Sequence, residues 1–171
     1  LRVVGICLEK LQQKCYHQNQ MKKMEVNAME LAKDSLDIGL VVSDIEKSLT
    51  FYKDTLGLKY LGVILKMPDD AAKKGPIFNQ GFSLHGFKVG TTMLKLLAAT
   101  TPPSGEKRAI DSTAGIRYIT FIVKDVNSIY DDLSSKGVEF LSKPIEIPGV
   151  KVTIAMMLDP DGNHLELVSR G

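Results

Sequence analysis

From residue 36 onward the chain is written in short apolar, β-branched runs with strand-like alternation, interrupted twice by a helical period. LDIGLVVSD (36–44) and RYITFIVKD (117–125) are two such runs, 81 residues apart, and each ends in an aspartate that can cap a following helix. Ile45, Leu49 and Tyr52 then share one helical face in the first copy, as do Val126, Ile129, Tyr130 and Leu133 in the second. Gly57 and Gly137 stop these helices of about three turns. By that point the offset has slipped one residue, to 80. Strands LKYLGVIL and VEFL come next, and each copy closes with a hairpin: GFSLHGFKVG into TTMLKLLA, and VKVTIAMML through the turn Asp159-Pro160-Asp161-Gly162-Asn163 into HLELVS.

The order β-α-β-β-β therefore occurs twice, which predicts an α+β fold of two tandem βαβββ modules, residues 36–98 and 116–171. Between them, residues 99–115 read as a linker, because Pro102, Pro103 and Gly105 interrupt any regular element. Residues 68–76 read as a surface loop able to cover a site. Residues 1–35 differ: Leu8, Leu11, Cys15, Met21, Met24 and Leu31 recur at helical spacing among Lys and Gln, predicting an amphipathic helical extension that packs on its own domain or on a sister subunit.

Composition narrows the function classes. With 171 residues, 44% hydrophobic and 25% charged, the chain can bury a core. Its formal charge of +2 supplies no field for extended phosphate binding, so nucleic acid is not an expected partner. No apolar run approaches the roughly 18–20 residues that span a bilayer, so no membrane partner is expected. Residues 3–8, broken by Gly5, make a poor export signal, and the two cysteines, Cys7 and Cys15, fall together near the start and leave no disulfide framework. A cytoplasmic setting follows as the expectation. GxGxxG, Walker, GxSxG and HExxH patterns are all missing, so no nucleotide cofactor is expected.

The Asp-ended first strands, FYKDTLGL (51–58) and DPDGNHLEL (159–167), carried in order by an intact repeat, resemble the vicinal-oxygen-chelate superfamily, also called the glyoxalase/bleomycin-resistance/dioxygenase superfamily. The resemblance covers residues 36–169 and implies that the eight strands curve into a cup with the site inside it. In metal-using members each module supplies one ligand from its first strand and one from its last. Carried over, those positions are Asp37 and Tyr118 on the first strands, and Lys95 and Glu166 on the last. Glu166 is the usual residue; Asp37 can still donate an oxygen, Tyr118 only as a phenolate, and a protonated Lys95 repels a cation. The candidate metal ligands are thus Asp37 and Glu166, an incomplete set for Mg²⁺, Mn²⁺, Ni²⁺ or Zn²⁺ that favours Mg²⁺ or Mn²⁺ over Zn²⁺. His164, on the same strand face as Glu166, and His85, on the neighbouring strand, are possible additions.

Glu166 is read either as metal ligand or general base, or as one half of an ion pair with Lys95 across the cup. Lys95 can instead fix a carboxylate or enolate oxygen of a substrate. Gly39 either leaves room for ligand beside Asp37 or allows close packing, and Tyr118 and Thr120 either bond a ligand or satisfy each other. Met93, Met156 and Met157 are either an adaptable lining or core. The resemblance implies a lyase or isomerase in which Glu166 and Lys95 move a proton next to a carbonyl of a small oxygen-rich metabolite or thiol adduct. The alternative is a metal-free small-molecule binding protein of the bleomycin-resistance type. A homodimer is expected in either case; ring-cleaving dioxygenase chemistry is disfavoured because its two-His-one-carboxylate set is missing.

Overall fold

The alternating runs become eight strands in two four-stranded sheets, with helical segments on one side of each. The computed structural model describes residues 31–74, 79–105, 109–112 and 114–170. The chain divides into Leu1–Asp34 and Ser35–Gly171, and both modules lie in the second unit. The extension expected over residues 1–35 falls, up to residue 30, outside the described residues.

The first module runs β1 (Ile38–Val42), α1 (Ile45–Leu49), a π-helical turn (Thr50–Thr55), β2 (Lys59–Met67), α2 (Asp69–Ala72), β3 (Phe82–Val89) and β4 (Thr92–Ala99). The second runs β5 (Tyr118–Ile122), α3 (Val126–Ser135), β6 (Ile145–Ile147), β7 (Val152–Leu158) and β8 (His164–Arg170). Both sheets have one topology, β1-β4-β3-β2 and β5-β8-β7-β6, in which the first strand lies parallel to the last. The two-module βαβββ architecture expected from the repeat is the observed one. It takes the form of two separately bonded sheets, open and not joined into a closed barrel.

Both aspartates cap as expected. Asp44 accepts from the Lys47 N–H at 3.1 Å, and Asp125 from the Asn127 N–H at 2.9 Å. The Lys47 N–H also holds the Asp44 carboxyl below the usual carboxylate range. Gly57 and Gly137 take φ of +69° and +80°, the left-handed conformation that lets each helix end and a strand begin. The one-residue slip of the repeat has a structural counterpart. The second helix is regular, whereas the first widens at Thr50–Thr55, where the Leu56 N–H reaches back five residues to the Phe51 carbonyl at 2.8 Å. A helix absorbs one extra residue in this way without losing its ends.

Two expectations are corrected. VEFL is not a full strand: Phe140 makes a single bridge to Met157, and the ladder resumes only at Ile145–Ile147. Pro144, which has no N–H to donate, interrupts it. Residues 68–76 are not loop throughout, since Asp69–Ala72 is a helical turn whose Asp69 carboxylate accepts the Gly81 N–H at 2.7 Å.

Alternation gives each sheet one covered face and one open face. Val42, Phe87, Leu94 and Leu96 of the first sheet and Ala155, Met157, Leu165 and Leu167 of the second form one core with Tyr52, Val126 and Leu133 from the helices. That shared core is reinforced by polar contacts at the DPDGN turn. The fully buried Tyr52 donates its hydroxyl to Asp159 Oδ2 at 2.7 Å. Asp159 also accepts the N–H groups of Asp161 and Asn163, at 3.0 and 2.8 Å, and the Asn163 side-chain amide at 2.8 Å. Asp161 in turn accepts the Ser43 N–H at 3.1 Å and the Ser43 hydroxyl. The turn thereby fastens the end of β1 and its helix to the second module.

Burial, then the Asp159 carboxylate, push the Tyr52 hydroxyl far above its usual range, so it remains a donor. Tyr52→Phe keeps the ring and strands a buried carboxylate lone pair, which is expected to cost about 2 kcal/mol. Urea denaturation measures it; a loss below about 0.5 kcal/mol would mean the contact contributes little beyond packing.

Candidate functional site

The ligand-position residues all fall on the open faces, and strand pairing decides which of them meet. In the first sheet β1 runs beside β4 with Gly39 opposite Lys95. Asp37, Gly39 and Val41 therefore stand next to Met93, Lys95 and Leu97. Lys95 Nζ lies 2.8 Å from Asp37 Oδ2, with both side chains about 30% exposed. In the second sheet Thr120 stands opposite Glu166 and donates its hydroxyl to Glu166 Oε2 at 2.6 Å. The pairs that form are within sheets, Lys95 with Asp37 and Thr120 with Glu166, and not the Lys95–Glu166 pair expected across the cup.

Beside the Lys95–Asp37 pair, a methyl group placed on Gly39 would meet nothing within 4 Å. Gly39 thus leaves open space next to a charged pair. Tyr118 is half exposed, with His164 opposite it in register. His164 is itself buried and lines a cavity of about 300 Å³ with Val41, Ser43, Arg117, Asp161 and Asn163. Arg117 ties the linker to the mouth of this cavity through the carbonyls of Ile110 and Ala109, at 3.0 and 3.1 Å.

Other expectations divide by face. Met93 and Met156 belong to the open faces, Met156 being opposite Glu166, whereas Met157 is core. His85 pairs in register with Leu96 and so lies on the covered face, away from Lys95. There Nδ1 meets the Tyr60 hydroxyl at 2.8 Å and Nε2 the Ser83 hydroxyl at 3.1 Å. Among the described residues no three His, Cys, Asp or Glu side chains converge as a metal set. The donors present are a poor fit for a divalent ion, since one carboxylate is neutralised by an ammonium and the other already accepts from a hydroxyl.

Tyr52, Asp159 and Asp161 read from the sequence only as helix-face and turn residues, and Ser43 only as part of a strand run, although together they join the modules beside this site. Their signal was the turn itself, whose two aspartates exceed what a hairpin needs.

The Glyoxalase/Bleomycin resistance protein/Dioxygenase superfamily profile matches residues 35–167, and the chain belongs to that superfamily. Among curated proteins it is 32% identical over 136 residues to the uncharacterized protein YraH of Bacillus subtilis (strain 168), covering 77% of this chain and 94% of YraH. It is 28% identical over 127 residues to a probable lactoylglutathione lyase of Synechocystis sp., covering 74% of this chain and 88% of that protein. Among solved structures it is similar to TnmS3, an antibiotic binding protein from Streptomyces sp. CB03234, at 25% identity and a TM-score of 0.55, covering 83% of this chain and all of that one.

Burial holds the His85 imidazole below its ordinary value of 6.5; Glu46 opposes that shift and Lys66 adds to it. The unfolded chain binds a proton below about pH 6.5 that folded His85 resists. Stability from this group is thus complete above that pH and is lost as pH falls, until the folded imidazole titrates. Urea midpoints measured from pH 7 to pH 5 are expected to decline, and less steeply in His85→Gln; equal slopes would remove His85 as the cause.

Proposed function

We propose that the open faces form a metal-independent binding site for a small, oxygen-rich ligand, with Lys95 supplying the positive charge. The observation that carries this reading is the 2.8 Å contact between Lys95 and Asp37. Two positions that hold a metal in other members of the superfamily are occupied here by an internal ion pair, so an ammonium stands where a cation would. Being part-exposed, the pair contributes little to folding, and a ligand carboxylate or enolate oxygen can compete for the ammonium. Gly39 leaves the space for that oxygen, Tyr118 and His164 offer polar contacts, and Met93 and Met156 give the apolar part an adaptable lining. The likeness to an antibiotic binding protein agrees with this role.

A second reading is proton transfer by Glu166, held at Oε2 by Thr120, next to a substrate carbonyl polarised by Lys95. The similarity to a probable lactoylglutathione lyase is what favours it. In that case an α-keto aldehyde–thiol adduct is turned over, and Glu166→Gln, which keeps the shape and removes the base, abolishes turnover. Under the binding reading the adduct is not consumed.

A second copy of the chain completes the site. Val41, Leu61, Ile64, Tyr118 and Ile122 are between 42% and 66% exposed on the open faces, an apolar surface that a second copy can cover. A homodimer that covers it is expected in light scattering, and Ile122→Glu is expected to shift it to monomer. A monomeric wild-type chain would defeat this part of the reading.

The deciding measurement is thermal unfolding of chelator-treated protein with added Mn²⁺, Mg²⁺, Ni²⁺ or Zn²⁺, alongside metal content after purification without an affinity tag. No stoichiometric metal and no stabilisation are expected. Bound metal, with a stabilisation that disappears in Asp37→Ala and Glu166→Ala, overturns the metal-independent reading.

A further inference from the structure

The cleft on the covered side of the second sheet has no part in the site above. It lies between the segment after the π turn and α3, with a volume of about 310 Å³. Leu56, Leu58, Phe121, Ile129, Met157 and Leu167 form its apolar walls. Phe121 and Leu167 alternate with Thr120 and Glu166 along their strands, so the sheet itself separates this cleft from the open face.

Two observations point to an occupant. The first is size and lining: the volume is at the small end of ligand pockets, roughly 300–1,000 Å³, and its walls are mainly apolar, as those of small-molecule sites are. The second is the π turn. The first module carries one residue more than the second between its capping aspartate and its helix-ending glycine, and the widened turn feeds directly into Leu56–Leu58. Insertions of this kind concentrate at functional sites. Charge at the mouth then selects the ligand. Asp132 is paired with Lys136 at 2.7 Å and Asp54 with Lys53 at 3.4 Å, so each carboxylate there is already balanced. A charged ligand finds no unmatched partner at this entrance.

We propose that this cleft is a second binding site, distinct from the open-face site, and that it takes an uncharged apolar small molecule of aromatic size, inserted between the modules. Because it is walled by both modules, its occupancy bears on the Tyr52–Asp159 junction as well, and ligand uptake stabilises the fold.

The test is fluorescence titration of the full chain with N-phenyl-1-naphthylamine, an uncharged apolar probe. A saturable rise with one site per chain is expected. Val123→Phe and Thr55→Phe, each filling the cleft from a different wall, are expected to weaken binding about tenfold or more. Two fillers are used so that one that fails to fold, judged by circular dichroism and melting, leaves the other to decide. Ile122→Glu, which separates the dimer through the open face, is expected to leave probe affinity per chain unchanged, because every wall of the cleft belongs to one chain. No uptake by the wild-type chain, uptake indifferent to a folded filler, or uptake lost in Ile122→Glu each overturns the proposal. The last would place the probe on the open face.

Discussion

The buried hydroxyl–carboxylate bond between Tyr52 and Asp159 is the constraint on which the arrangement of the two modules depends. A carboxylate taken out of water must be satisfied in full, and Asp159 is, by two backbone N–H groups, a side-chain amide and the tyrosine. Three of these bonds shape the DPDGN turn, and the fourth reaches into the other module. The turn therefore takes up its conformation and docks its neighbour through one group. Asp161, two residues on, repeats the strategy with Ser43 at the end of β1. Apolar burial supplies the larger share of the driving force, but it is not directional, and these polar contacts give the junction its register.

From that junction the division of labour between faces follows. The covered faces share one core across both modules, which holds the sheets rigid. The open faces are left to carry Asp37, Lys95, Thr120, Glu166 and Tyr118. Because parallel pairing brings the first strand of each module beside its last, Asp37 meets Lys95 in one sheet and Thr120 meets Glu166 in the other, while Tyr118 stands opposite His164. Charge then settles each pair locally: an ammonium beside a carboxylate forms an ion pair, and a hydroxyl beside a carboxylate donates to it.

The two copies of the repeat have diverged by an insertion as well as by substitution. One additional residue in the first helix is held as a π turn, since a helix whose two ends are pinned, by a capping aspartate and a left-handed glycine, can only bulge. The bulge leads directly into Leu56–Leu58, which form one wall of the cleft on the covered side of the second sheet. Pseudo-symmetry is thus broken where the modules touch, which is where a small change in one helix is felt by both.

Much of the fold was legible in the sequence, because the evidence for it is local. Strand and helix periods, the capping Asp44 and Asp125, the terminating Gly57 and Gly137 and the 81-residue repeat all act within a few residues or by simple recurrence, and they define which side chains share a face. The slip of the repeat was visible too, but not its form, because a π turn and an ordinary insertion look alike on paper. Which face-mates become partners was decided only by tertiary structure. Lys95 meets Asp37 and not Glu166 because β4 lies against β1, 2.8 Å separating the charged atoms across a gap of 58 residues in the chain. His85, near Lys95 in sequence, is turned away from it by register, since each single step along a strand crosses the sheet. The tie between Tyr52 and Asp159 joins residues 107 apart, and no periodicity reports a contact at that range.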